Sequence, residues 1–255
     1  MRMLLLLTGS LFLLAGCAGK PGLTVPAAEM RPAVATAAVS EDADDPAIWV
    51  NPRNPSGSLI IGTNKVKAPA GALVVFDLEG KILQTVANLD RPNNVDVEYG
   101  FSLGGKMVDL VVATERLRSR LLVYRIREDA GGIEPAGAIP VFEGQKGEAS
   151  HPMGIALYKR PRDGAVFAIV SRKTGPSGSY LWQYRLRDQG GQVAGEKVRE
   201  FGAFSGRGEI EAVAVDDELG FVYYADEEDS IRKYAADPDA QDANRELARF
   251  ATTGF

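Results

Sequence analysis

Short runs of β-branched and aromatic residues, broken by Gly, Pro, Asn or Asp, recur from residue 46 onward. Examples are Leu59-Ile60-Ile61, Leu73-Val74-Val75-Phe76, Leu110-Val111-Val112 and Leu121-Leu122-Val123-Tyr124. Runs of this length between turn formers read as strands, and no stretch sustains a 3.6-residue period. The pattern predicts an all-β fold.

The runs themselves repeat. Four segments, starting at Pro46, Asn94, Pro152 and Glu209, share one plan: strand, turn, strand, charged loop, strand closing on an aromatic. The aromatics are Phe76, Tyr124, Tyr184 and Tyr234, spaced 48, 60 and 50 residues apart. A further extended piece follows each, at 82–87, 139–142, 198–201 and 247–250. Four strands at a period of about 50 residues predict a β-propeller with four blades visible in this chain. The spacing leaves open a four-bladed ring or the front part of a longer one.

In an up-and-down blade with strands A to D, the loops entering A and joining B to C share one face. Here those loops collect charge. Those entering A contain Asp42, Asp44 and Asp45, then Arg91 and Asp96, then Glu148 and His151, then Glu209 and Glu211. The B–C loops contain Lys65 and Lys67, then Glu115 and Arg116, then Arg172 and Lys173, then Asp226 and Glu227. Carboxylates crowded on one rim repel unless a cation sits among them, and oxygen donors favour Ca²⁺. Lys and Arg on the same rim suit an anion, with Arg able to fork onto phosphate.

Composition narrows the chemistry further. Lys and Arg number 29 against 34 Asp and Glu, a net charge of −5, which argues against a nucleic-acid binder. The single Cys (Cys17) and single His (His151) exclude an internal disulfide and a Cys/His zinc cluster. Cys17 ends the stretch Leu14-Ala15-Gly16-Cys17, which resembles a bacterial lipobox behind a Leu-rich run too short to span a membrane. The expectation is a lipoprotein signal over 1–16 and acylation of Cys17. A flexible tether rich in Ala and Pro would span 17–40, and the propeller domain 41–255. Ala18 after the Cys points to the outer membrane of a bacterial envelope, with the lipid as the membrane contact.

Several motifs also resemble the β-propeller phytases: Asp44-Asp45-Pro46-Ala47-Ile48-Trp49 with Thr63-Asn64-Lys65, and Asn93-Asn94-Val95-Asp96. Glu211 through Asp216-Asp217-Glu218-Leu219-Gly220, and Glu227 with Ile231-Arg232-Lys233-Tyr234, belong to the same likeness, which runs in order over about 41–255. The resemblance implies a six-bladed, Ca²⁺-dependent monomer that hydrolyses phytate, a metal-bound water attacking phosphorus. It implies that Lys65, Arg116 and Lys173 grip phosphate. Glu211 and Glu227 would be calcium ligands around the scissile phosphate, Glu227 also orienting the water, and Asp45, Asn94 and Asp96 would hold structural calcium. Arg118 and Arg120 flank Arg116, so the residues alone do not single it out.

Two departures stand out. His151 and Met153 occupy positions where the family has an acidic residue and a Tyr, and Met153 cannot hydrogen-bond phosphate as Tyr would. Six blades would also need roughly 100 more residues at this spacing. The chain is therefore expected to be a fragment of the ring that holds calcium and the attacking water less firmly, with little or no phytate hydrolysis, a tendency to aggregate, or both. The competing expectation is a non-catalytic surface propeller that binds calcium and an anionic ligand or protein partner. No motif supports a lactonase-type propeller with one central metal.

Overall fold

The computed structural model describes residues 31–129 and 131–253. Cys17, the lipobox and most of the expected tether lie outside them. Of the small unit 1–33, the described residues 31–33 are exposed and carry no strand. Among the described residues no helix is long and apolar enough to cross a membrane.

The described residues of the second unit form sixteen strands in four antiparallel sheets of four, each in sequence order. The first blade is β1 (Ala43–Trp49), β2 (Leu59–Asn64), β3 (Gly71–Phe76) and β4 (Ile82–Leu89). The second is β5 (Pro92–Leu103), β6 (Lys106–Glu115), β7 (Arg120–Arg127) and β8 (Gly132–Pro140). The third is β9 (Pro152–Lys159), β10 (Val166–Arg172), β11 (Leu181–Gln189) and β12 (Gln192–Phe201). The fourth is β13 (Val213–Asp216), β14 (Phe221–Asp226), β15 (Ser230–Ala235) and β16 (Ala248–Phe250). The first strands of successive blades lie side by side, β1 against β5, β5 against β9 and β9 against β13. These are blades of a β-propeller.

Alternation along the middle strands explains the packing. On β6, Val111 and Ala113 face the first blade, in a core with Trp49, Ile61, Leu73 and Val75. Leu110 and Val112 face the third blade, with Ile155, Ala168, Val170 and Trp182. A strand buried on both faces needs apolar residues at every position, which is why its sequence reads as an unbroken run. A third core joins Phe167, Ile169, Tyr180 and Phe201 to Val222, Tyr224 and Tyr234.

Three boundaries differ from the sequence expectation. The last strands of blades two and three, β8 and β12, are longer than 139–142 and 198–201. Gly131 and the pair Gly190-Gly191 take positive φ and turn the chain tightly, so each last strand pairs along most of its neighbour. The propeller unit also begins at Val34, ahead of Glu41. Val39 packs on Ala72, Val74 and Phe76, Ala37 N–H donates to Gly80 O (2.7 Å), and Asn64 Nδ2 donates to Ser40 Oγ (3.0 Å).

Candidate functional site

Lys65, Arg116, Lys173 and Glu227 each stand one residue past the second strand of their blade. Each donates its backbone N–H to the loop entering the first strand of the same blade. The bonds are Lys65 to Asp42 O (2.8 Å), Arg116 to Arg91 O (3.1 Å), Lys173 to His151 O (2.9 Å) and Glu227 to Glu209 O (3.1 Å). One bond repeated four times puts all four residues on one rim, with both sets of charged loops.

The preceding residues build that rim. Thr63 Oγ1 accepts from Asp45 N (3.0 Å) and donates to Asn93 O of the next blade (3.0 Å). Thr114 Oγ1 accepts from Asn94 N (3.0 Å) and donates to Met153 O (2.8 Å). Ser171 Oγ accepts from Gly154 N (2.9 Å) and donates to Ile210 O (2.5 Å). A hydroxyl can do both at once, so one side chain ties its own blade to the next. In the fourth blade Ala225 holds this position, and its N–H bonds Ala212 O directly (3.0 Å). Sequence reasoning missed these hydroxyls. Their signal was present in the aligned triplets Thr63-Asn64-Lys65, Thr114-Glu115-Arg116, Ser171-Arg172-Lys173 and Ala225-Asp226-Glu227.

The middle residues of the triplets are buried. Asn64, Glu115 and Asp226 each accept a backbone N–H from the adjoining loop, from Asp42 (3.0 Å), Asp90 (2.7 Å) and Ser205 (2.8 Å). Glu115 also pairs with Arg118 (3.1 Å) and Arg120 (2.5 Å). This separates the three arginines: Arg118 and Arg120 serve Glu115, while Arg116 is buried and its guanidinium contacts the Met153 sulfur. Lys65 pairs with Asp44 (2.5 Å), and Lys173 pairs with Glu209.

Inside the rim, a cavity of about 480 Å³ runs between the first strands, lined by Asp45, Asn94, Asp96, Glu98, Leu157 and Asp217 among others. Asp45, Asn94 and Asp96 thus come together. Asp45 Oδ2 accepts from Val95 N (2.9 Å) and Asp96 Oδ2 from Leu157 N (2.7 Å), so each carboxylate also bonds the adjacent blade. Glu211 joins them through the second blade, its Oε1 accepting from Asn93 Nδ2 (2.5 Å). Gly154 makes this approach possible, because a Cβ there would stand 1.9 Å from Glu211 O. Glu227 stands apart from the cavity, with Oε2 on Glu209 N (3.0 Å).

The cavity is electrostatically unbalanced. Burial pushes the Asp96 carboxyl up to about 6, with Asp45 and Asp217 adding repulsion. Burial likewise raises Asp45, with Asp44 and Glu211 contributing, and takes Glu98 up to about 7, with Asp217 and Asp96 contributing. Asn93 Oδ1 is buried without a hydrogen-bond partner. Oxygen donors that repel one another, beside an orphaned amide oxygen, suit a hard divalent cation. Among the described residues no three carboxylates converge into a ready-made cage.

The phytase family model matches residues 3–254. The chain belongs to the phytase family. It is also 36% identical over 207 residues to the 3-phytase of Bacillus subtilis (strain 168), a match covering 77% of this chain and 48% of that protein. This phytase-family chain thus spans about half the length of the curated relative it matches.

Proposed function

We propose that the rim binds phytate and hydrolyses its phosphate monoesters in a calcium-dependent reaction. The observation that carries this reading is the fourfold placement of Lys65, Arg116, Lys173 and Glu227 on one rim, together with the charged loops. Three cations at equivalent positions can meet several phosphates of one small ring, and a carboxylate fills the fourth position.

Asp45, Asn94 and Asp96 would hold structural calcium, and Glu211 and Glu227 calcium beside the scissile phosphate, which when bound would supply charge neutralisation at phosphate and a more acidic attacking water. The chain's own residues do the rest. Lys65, Arg116 and Lys173 orient the phosphates, Lys65 and Lys173 exchanging part of their pairing with Asp44 and Glu209 for substrate oxygens. Glu227, fixed by its bond to Glu209 N, accepts a hydrogen bond from the attacking water. Met153, packed beneath Arg116, supports the guanidinium by contact and offers phosphate no donor. Cys17 is proposed to carry a lipid that fixes the propeller to the outer membrane.

The test is phosphate release from phytate with calcium and with chelator. Release with calcium and none with chelator supports the reading. Calcium-dependent binding of phytate without release would instead favour the non-catalytic surface propeller, in keeping with Met153.

A further inference from the structure

The rim cations are not equivalent. Lys65, Lys173 and Arg207 each have a carboxylate partner, in Asp44, Glu209 and Asp229. Arg91 and Arg116 have none among the described residues. Both Nε atoms are buried without a hydrogen-bond partner. The two charges lie close enough that Arg91, after burial, is the largest influence lowering the Arg116 pKa. Glu211, Glu209 and Asp44 act on Arg116 only through space.

The backbone holds Arg91 in place. Its φ is +60°, a left-handed conformation that a residue with a Cβ adopts at a cost. Its N–H donates to Val66 O (2.9 Å) and its C=O accepts from Arg116 N (3.1 Å). It is therefore fixed between the loops that carry Lys65 and Arg116. At the repeat-equivalent positions, blades one and four have Asp42 and Glu209, whereas blades two and three have Arg91 and His151. At these four positions the carboxylates thus fall on blades one and four, and the guanidiniums of Arg91 and Arg116, without a carboxylate partner among the described residues, lie on the second blade. Two partly buried like charges without a counterion are unfavourable until an anion joins them.

We infer that Arg91 and Arg116 form a direct clamp for one phosphate group of a polyphosphorylated ligand, and that Arg91 sets the preference for such ligands over single phosphates. This rests on the phosphate-ester reading of the rim. The clamp needs no metal at its own position, because both guanidiniums present donors in a planar fork.

Arg91→Gly is the informative variant, since glycine accepts the positive φ and a purely structural role for Arg91 would leave binding untouched. Calorimetric titration of the full chain in calcium buffer would use myo-inositol hexakisphosphate and inorganic phosphate as probes. Arg91→Gly should keep or raise the melting temperature and weaken hexakisphosphate binding at least about tenfold. Inorganic phosphate should be weakened much less. Arg91→Lys should recover part of the loss, and Lys106→Ala, at the start of β6, should change nothing. Unchanged hexakisphosphate binding by Arg91→Gly overturns the clamp while leaving the phosphate-ester reading standing. Equal losses for both probes overturn the assigned preference. If the unmodified chain binds no hexakisphosphate, the clamp and the parent reading fall together.

Discussion

Lys65, Arg116 and Arg118 are held in three different ways, and their substitutions should separate accordingly. Lys65→Ala and Arg116→Ala remove cations from the rim and should each raise KM for phytate about tenfold or more. Arg118→Ala, on a half-exposed partner of Glu115, should leave kinetics unchanged. His151 offers a separate check as the only imidazole in the chain. Burial lowers its pKa, and Arg116 and Arg91 add to this against Glu148. A histidine with a depressed pKa gives stability that is present above its unfolded value of 6.5 and is lost as pH falls through the folded value. Its NMR titration midpoint should therefore lie below 6.5 and rise when phytate binds. A midpoint at or above 6.5 without ligand would contradict the placement of the two arginines.

The strands and their order were legible because a blade strand buried on both faces shows as an unbroken apolar run, as in β6 and β10. The last strands were less so: β4 is mostly exposed, and without an apolar face its length left no pattern. Around the site, the rim charges could be read from loop order alone. The inter-blade bonds of Asp45, Asp96 and the hydroxyls could not, because they depend on which strand lies beside which. Thr114→Val should leave Asn94 N–H and Met153 C=O unpaired and cost about 2 kcal/mol in a denaturant titration. Thr114→Ser should cost little. Gly154→Ala forces the start of the fourth blade away from β9 and should cost about 3 kcal/mol. A neutral result at Gly154 would refute the close approach of the Glu211 backbone to β9 of the third blade.

Across the whole molecule, carboxylates from successive blades share one cavity, so a cation bound there couples the blades. A ligand that binds only the folded chain adds about 2.7 kcal/mol at a hundredfold excess over Kd. Calcium should therefore raise the melting temperature, and Asp45→Asn with Asp96→Asn should remove most of that gain. The proposed anchor acts at the same scale: Cys17→Ser should move the protein from the membrane to the soluble envelope fraction. The central proposal is that this rim is a calcium-dependent phosphomonoesterase site, and phosphate release from phytate tests it most directly. The account predicts slow release by the unmodified chain with calcium, none with chelator, and a large loss in Glu227→Gln at an unchanged melting temperature. Release that persists in chelator, or that Glu227→Gln leaves intact, would contradict it.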